Sequence, residues 1–236
     1  MEYTVVVRMN EKLFLRDPEG SELGRRIVRQ GIQLMAEIGF EEMTFRKLAD
    51  RIGTKESSIY RYFENKHRLL VYLVAWYWQW LEYQVLFQTN NLTDSREKLE
   101  RILKLLLLKD LSQLHVSTAV DDMDIPALHS IVIQEASKAY LTHHVTEDNR
   151  EQLFKPYKDL CSRIAGIILE YRPGYPYARS RASSLIETAH YQAFFMQHLP
   201  ALTDFGVESP GRIESKDPLL TFLRHLLFSS LDTARF

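Results

Sequence analysis

The polar residues between Thr44 and Lys66 are of the types that contact nucleic acids. Thr44 is predicted to cap a helix N-terminus, where its hydroxyl and the adjacent backbone N–H groups can bind a phosphate. Arg46 lies in the first turn of that helix, and its planar guanidinium can bind a guanine edge or a phosphate. A second short helix is predicted to begin at four polar residues, Lys55, Glu56, Ser57 and Ser58. Residues at this position face base edges in helix-turn-helix complexes with DNA.

Local charge favours contact with a nucleic acid, although the chain as a whole is nearly neutral. The 236 residues carry a formal net charge of −1, whereas residues 44–68 contain seven basic and three acidic side chains. A nucleic acid would therefore be bound by a local basic patch and not by a uniformly positive protein.

An apolar framework of two crossing helices would hold these polar residues in position. Leu48, Ile52 and Ile59 can be buried where the helices cross, and Ala49 is small enough to allow close approach. Gly53 follows the first short helix, where glycine can adopt a positive φ at little cost. The spacing of Ala49, Gly53 and Ile59 is typical of a helix-turn-helix.

Further residues around this stretch make it similar to a known family. They are Gly39-Phe40, Met43-Thr44-Phe45-Arg46-Lys47-Leu48-Ala49, Ile52-Gly53, Ser58-Ile59-Tyr60-Arg61-Tyr62-Phe63, Asn65-Lys66 and Leu69-Leu70. In type and spacing this set resembles the N-terminal domain of TetR-family transcriptional regulators, from Arg25 to Leu70. Two positions depart from that family, since Thr54 replaces a usually apolar residue and Glu56 places an acid at the start of the recognition helix. These departures leave the operator sequence open.

The resemblance implies roles for individual side chains in DNA binding. It favours the groove for Arg46, and it implies that Tyr60, Tyr62 and Lys66 bind phosphates, contacts that position a protein without reading sequence. The predicted DNA-binding set also includes Phe45 and Arg61. Taken singly, each of these residues could have only a structural role. Their combination on a helix-turn-helix favours DNA binding.

The resemblance also implies an all-α fold, in which a three-helix helix-turn-helix domain precedes a helical bundle, with about nine helices in total. We expect an N-terminal arm at residues 1–17, the helix-turn-helix domain at 18–65, and an effector-binding and dimerisation domain at 66–236. Asp17-Pro18-Glu19 is predicted to start the first helix and Gly39 to end it. In the arm, Arg8, Lys12 and Arg16 could follow a minor groove or have no separate role.

The remaining helices are predicted from apolar periodicity and from caps such as Asp94. They cover residues 65–87, 95–115, 126–141, 146–171, 177–199 and 217–231. An acidic stretch, Asp121-Asp122-Met123-Asp124, is predicted to be a solvated turn between two of them.

The predicted fourth helix carries a stripe of aromatic residues. Tyr72, Trp76 and Trp80 recur every four residues, and Tyr83 continues the stripe. Such a stripe is most often ordinary core. The resemblance offers a second interpretation, because the fourth helix of the family joins the DNA-binding domain to the effector domain. These four residues would then line a pocket for a flat or apolar small molecule.

The last two helices are predicted to form a homodimer interface. The resemblance implies a four-helix contact between two copies, built from Ala182, Leu185, Ile186, Ala189, Ala193, Met196, Leu219, Phe222, Leu223 and Leu226. The alternative is that both helices pack only within one chain.

Other classes of protein find little support in the sequence. The chain lacks the GxSxG, P-loop and glycine-rich nucleotide motifs, so we predict no catalytic residues and no enzyme. His115, His129, His143 and His144 do not form a metal motif, so we predict no metal and no cofactor. The single Cys161 and the absence of a secretory signal favour the cytoplasm. Apolar runs are interrupted well before the ~20 residues that a membrane span needs.

We therefore predict a one-component transcriptional regulator that binds double-stranded DNA. As a dimer it would bind a near-palindromic operator, act as a repressor and be released by a small-molecule effector. The alternative is a helix-turn-helix protein regulated by a protein partner, or one without any ligand. The sequence leaves open the effector, the operator and whether transcription is repressed or activated.

Overall fold

A computed structural model of the protein describes residues 9–109, 123–205 and 217–233, which form an all-α structure. The helices in these residues are α1 Glu22–Glu42, α2 Phe45–Ile52, α3 Glu56–Tyr60, α4 Lys66–Thr89, α5 Ser95–Leu106, α6 Ile125–Tyr140, α7 Val145–Arg150, α8 Lys155–Tyr171, α9 Ala178–His198 and α10 Pro218–Thr233. The predicted fold class is confirmed.

The described residues divide into two compact units. The first unit comprises the described parts of Met1–Trp80 and Val116–Tyr157, and it contains α1 to α3, the first part of α4, α6 and α7. The second comprises the described parts of Leu81–His115 and Lys158–Phe236, and it contains α5, α9, α10 and most of α8. The domain boundary predicted at residue 65 stays a prediction.

The first helix begins later than the sequence suggests. The hydroxyl of Ser21 accepts the backbone N–H of Gly24 at 3.1 Å, so Ser21 is the N-cap of α1. Asp17, the predicted cap, instead accepts the N–H of Glu19 through its side chain at 2.9 Å. Its carbonyl accepts the N–H of Gly20 at 3.3 Å. Pro18 therefore lies in a turn that precedes the helix.

The helix-turn-helix has the boundaries that the sequence predicts. Thr44 Oγ1 accepts the N–H of Lys47 at 3.2 Å and caps α2. Gly53 ends α2 in the left-handed region, with φ 71° and ψ 43°. Leu48 and Ile59 are fully buried where α2 and α3 cross. Glycine is needed at position 53 because a side chain makes this conformation costly.

The helix predicted over residues 146–171 is interrupted. α7 ends at Arg150, α8 begins at Lys155, and Gln152 between them has a φ of 62°. The break buries Leu153 and Asp148, and the N–H of Leu153 donates to the carbonyl of Asp148 at 3.1 Å. Tertiary burial therefore overrides the helical periodicity of the sequence.

The fifth helix is also shorter than predicted. α5 ends at Leu106, and Leu108 in the following turn has a φ of 48°. The end of the predicted helix at His115, the residues Asp121-Asp122 and the N-terminal Thr4 to Arg8 lie outside the described residues.

The core of the second unit contains most of the predicted dimer seam. Ala182, Leu185, Ile186, Ala189, Leu219 and Leu223 are buried, together with Leu99, Ile102 and Leu103 of α5. Because their side chains pack inside one chain, these six residues are not available to a second copy in this structure. Ala193, Met196, Phe222 and Leu226 are half-buried. Small residues every few positions on α9 therefore indicate close packing within the monomer.

No helix in residues 9–109, 123–205 or 217–233 combines the length and the apolarity needed to cross a bilayer. Across the same ranges, no three His, Cys, Asp or Glu side chains form a group that could hold a metal ion. His143 and His144 are exposed.

Gly53→Ala is expected to lower the free energy of unfolding by about 1–2 kcal/mol, because alanine must adopt the left-handed conformation. Urea unfolding followed by circular dichroism measures the change. Gly166→Ala is the matched control, since Gly166 lies inside α8 with open space around its Cα, and alanine should stabilise the helix slightly. Equal effects of the two substitutions would contradict the assigned role of Gly53.

Candidate nucleic-acid interface

The beginnings of α2 and α3 expose polar side chains to solvent. Thr44, Arg46, Lys55 and Ser57 are exposed, while Glu56 and Ser58 are half-buried. The N–H of Ser58 donates to the carbonyl of Lys55 at 2.8 Å and closes the first turn of α3. Hydroxyl, guanidinium and ammonium groups are therefore available on one unit of the molecule at the helix ends where the sequence places them.

Two aromatic residues of the predicted DNA-binding set lie in the core. Phe45 is 4% exposed, and its ring packs edge-on against the 47% exposed ring of Tyr60, with 5.0 Å between the centroids. Tyr62 is 2% exposed, and its hydroxyl lies 2.8 Å from Ser21 Oγ at the cap of α1. The prediction that Phe45 and Tyr62 contact DNA is corrected accordingly. The ring of Phe45 packs against that of Tyr60, and the hydroxyl of Tyr62 stabilises the start of α1.

Several basic residues of the patch are engaged within the protein. Arg51 binds Glu37 through two N–H groups at 2.5 and 2.7 Å, and this contact lowers the pKa of the Glu37 carboxyl. Arg68 forms an ion pair with the buried Asp148 at 3.0 Å. Lys47 donates to the carbonyl of Glu42 at 2.7 Å.

Three other basic residues remain exposed on the surface of the helix-turn-helix. Arg46, Lys55 and Arg61 form no ion pair with any described residue within 4.0 Å. The basic surface that can meet an external anion is therefore concentrated around the starts of α2 and α3 and the end of α3.

Lys66 is directed at the end of α1. Its ammonium donates to the carbonyl of Phe40 at 3.0 Å and to the carbonyl of Glu41 at 2.9 Å. It also lies 4.7 Å from the centroid of the Phe40 ring. A cation at a helix C-terminus satisfies carbonyls that have no partner inside the helix. The predicted phosphate contact of Lys66 would require these bonds to be exchanged.

The same segment is also held by residues of α6. Gly39 has a φ of 78° and interrupts the helical bonding of α1. The N–H of Phe40 that follows donates to Glu135 Oε1 at 3.1 Å, and Glu135 is buried. Lys138 pairs with Glu135 at 2.7 Å and with Glu41 at 3.0 Å. We call these contacts of Phe40 with Lys66, Glu135 and Lys138 the Phe40 junction.

The Phe40 junction was not predicted, although the sequence contains a signal for it. Glu135 follows Leu128 by seven residues and Ile131 by four, so it falls on the apolar face of α6. A carboxylate on such a face must find a partner when it is buried. The sequence does not reveal that this partner is a backbone N–H ninety-five residues away.

The family comparison agrees with this geometry. Residues 27–73 match the family described as bacterial regulatory proteins, tetR family. The tetracycline repressor protein class C of Escherichia coli is 36% identical over 44 residues, which are 19% of this chain and 20% of that protein. The class A repressor from transposon 1721, also from Escherichia coli, is 39% identical over 44 residues, with the same shares covered. The alignments thus span about a fifth of each repressor's length.

The segment that contains the helix-turn-helix is thus similar to the tetR family. Solved structures extend the likeness of this chain to its fold. The fatty acid degradation regulator FadR from Bacillus halodurans superposes with a TM-score of 0.57 at 17% identity, over 89% of this chain and 98% of that one. A tetR-family transcription regulator from Shewanella sp. PV-4 gives 0.58 at 13% identity, over 92% and 98%. AibR, solved with isovaleryl coenzyme A and operator DNA, gives 0.56 at 15% identity, over 86% and 98%.

The four residues of the predicted effector pocket have different surroundings in the structure. Tyr72 is fully buried against Phe63, with 5.4 Å between ring centroids, and its hydroxyl donates to Glu19 at 3.4 Å. It therefore belongs to the core beneath the helix-turn-helix. Trp76 and Trp80 are also buried, at 4% and 2% exposure.

A further aromatic cluster surrounds the first part of α4. Trp78 packs against Tyr157 at 4.9 Å between centroids, and Tyr157 stacks on Tyr140 at 6.1 Å. The buried hydroxyl of Tyr77 lies 2.6 Å from His129 Nδ1 on α6. Burial lowers the pKa of His129 to about 4. In the second unit, Tyr83 stacks on the exposed Phe87 at 6.2 Å.

Glu135→Ala is expected to lower the free energy of unfolding by about 1–3 kcal/mol, because it leaves the Phe40 N–H buried without its acceptor. Glu135→Gln retains an amide oxygen that can accept this N–H and should cost clearly less. Chemical unfolding of both variants measures the difference. Equal losses would show that charge pairing with Lys138, and not the Phe40 bond, accounts for the effect.

The depressed pKa of His129 predicts a pH-dependent stability. Between the usual pKa of about 6.5 and the folded value of about 4, the unfolded chain binds a proton that the folded chain does not. The free energy of unfolding should therefore fall as the pH drops through this window, by about 3 kcal/mol for this group. Thermal melts from pH 7 to pH 4 measure it.

His129→Gln should flatten that pH dependence, whereas His143→Gln, which changes an exposed histidine, should leave it intact. An unchanged slope in the His129 variant would refute the assignment.

Proposed function

We propose that this protein is a transcriptional regulator that binds double-stranded DNA through α2 and α3. The observation that carries the proposal is the exposed set of Arg46, Lys55 and Ser57 at the starts of two helices, on the segment that matches the tetR family. In this arrangement α3 enters a major groove, and the capped start of α2 faces a phosphate. Tyr60 and Arg61, both exposed, flank the groove and position the protein.

We further propose that the protein acts as a homodimeric repressor. A twofold dimer would place two copies of α3 about one helical turn of DNA apart, roughly 34–36 Å, and would favour a near-palindromic operator. In the second unit, the exposed apolar residues Tyr191, Leu199 and Leu202 offer a surface for such a contact, at 48%, 46% and 59% exposure. In this proposal these three residues contact the second copy, in place of the buried residues of the predicted α9 seam.

The proposed effector is a small molecule with an apolar part, and acyl-coenzyme A compounds, in which an apolar acyl chain is joined to an anionic nucleotide, are the first class to test. The support is limited to similarities of fold, because AibR was solved with isovaleryl coenzyme A and FadR is a fatty acid degradation regulator. Binding would release the operator if the effector prefers a conformation that DNA does not, and the ratio of the two affinities would determine the extent of release.

Arg46→Gln tests the DNA-binding surface. Selection from random duplexes should first recover a near-palindromic site from the unaltered protein. Fluorescence anisotropy should then show about tenfold weaker binding by the Arg46 variant, since a bidentate base contact contributes roughly 1–3 kcal/mol. Arg150→Gln is the matched control, because Arg150 is exposed at the end of α7 and away from α2 and α3 along the chain.

Recovery of no site, or equal losses in both arginine variants, would contradict the proposed interface. Isovaleryl coenzyme A and longer acyl-coenzyme A compounds are then added to the bound operator. If none changes the affinity, the result favours the alternative, a helix-turn-helix protein controlled by a protein partner or by no ligand.

A further inference from the structure

The segment that precedes α1 is bound to the rest of the first unit at several points. The side chain of Asn10 donates to the carbonyl of Glu151 at 2.7 Å, and Leu13 is 1% exposed. The ring of Phe14 packs edge-on against an aromatic ring of α4, with 6.2 Å between the centroids. Residues 10–16, which we call the N-terminal strap, therefore belong to the packed structure of this unit.

The end of the N-terminal strap lies against the residue that follows Arg61 at the end of α3. The N–H of Leu15 donates to the carbonyl of Tyr62 at 2.7 Å. The guanidinium of Arg16 lies over the Tyr62 ring, 5.3 Å from its centroid. An aromatic face attracts a cation, so this contact restrains a long side chain. Tyr62 is 2% exposed whereas Arg16 is exposed, so the cation is at the surface and the ring is beneath it.

This position connects Arg16 to the proposed DNA interface. Tyr62 comes directly after Tyr60 and Arg61, which are exposed at the end of α3. In the proposed function these two residues flank the groove and position the protein. The contact with Tyr62 therefore brings a cation from far earlier in the chain to the same end of α3.

The charged neighbours of Arg16 along the chain have other contacts. Asp17 accepts the N–H of Glu19 at 2.9 Å, and the Glu19 carboxylate accepts a tyrosine hydroxyl of α4 at 3.4 Å. Arg16 forms no ion pair with either carboxylate or with any other residue that the structure describes. Lys12, the other basic residue of the N-terminal strap, lies 3.9 Å from a carboxylate oxygen of Glu151. Of these two bases, Arg16 is thus the one with no carboxylate partner among the described residues.

We propose that Arg16 binds a phosphate of the DNA backbone and extends the contact that α3 makes. This inference rests on the proposed function and adds to it a residue outside α2 and α3. The planar fork of a guanidinium suits a phosphate. Because the N-terminal strap is already packed, the contact requires little additional ordering of the protein. Such a contact positions the protein without reading sequence, unlike a minor-groove contact, which distinguishes A·T from G·C pairs.

Arg16→Gln tests the proposal on the full chain, with binding to the selected operator measured by fluorescence anisotropy at several salt concentrations. The variant should bind about tenfold more weakly near 0.1 M salt. The slope of log affinity against log salt should decrease in magnitude by about one for each bound chain, since one phosphate contact is lost. Lys12→Gln is the matched control, because it removes a positive charge from the same N-terminal strap and should leave both quantities nearly unchanged.

Two further measurements separate a phosphate contact from other roles of Arg16. On a random-sequence duplex of the same length, Arg16→Gln should weaken binding by the same factor. A loss confined to the selected operator would indicate base reading and overturn the proposal. Arg16→Lys keeps the charge but not the planar group over Tyr62, so it should retain the salt slope. A slope reduced equally in the lysine and glutamine variants would show that stacking, and not charge, accounts for the effect, and would also overturn it.

Thermal melting verifies that each variant is folded. An unchanged salt slope in Arg16→Gln would overturn the proposal, and so would equal reductions in the Lys12 and Arg16 variants. Recovery of no operator would contradict the proposed function and the role of Arg16 together. A recovered operator whose salt slope does not depend on Arg16 would contradict only the role of Arg16, so the two failures are distinguishable.

Discussion

The peptide that follows Gly39 has backbone N–H and carbonyl groups that find no hydrogen-bond partner within α1. The packing of the first unit depends on supplying these partners from other helices. The left-handed turn at Gly39 removes the N–H of Phe40 from helical bonding, and buried Glu135 accepts it. Lys66 of α4 binds two carbonyls at the end of α1. An unsatisfied buried polar group costs about 1–3 kcal/mol, so the contacts from α4 and α6 are needed where α1 leads into α2.

This junction supports the helix-turn-helix close to the residues that we propose contact DNA. Thr44, the cap of α2, is only four residues after Phe40. Tyr72 adds a second support from α4, because its ring packs on Phe63 just after α3. The aromatic stripe of α4 thus begins as core of the unit that contains the helix-turn-helix.

The basic side chains of the first unit fall into two groups, those that bind other groups of the protein and those that are exposed. Arg51, Arg68 and Lys66 bind groups of the protein itself, whereas Arg46, Lys55 and Arg61 lie on the surface. Counting basic residues along the sequence does not separate these two groups. The difference matters because an exposed arginine can neutralise a phosphate, while a paired arginine must first lose its partner.

Much of the helix-turn-helix was determined by the sequence alone, because its signals are local: a threonine cap, a glycine with positive φ and an apolar spacing. The same holds for the all-α class and for the cap at Asp94. Tertiary structure alone decided which side chains of these elements face outward. Phe45 and Tyr62 are buried, and most of the α9 seam packs inside one chain. Periodicity shows that a helix has an apolar face, but only the other helices determine what covers that face.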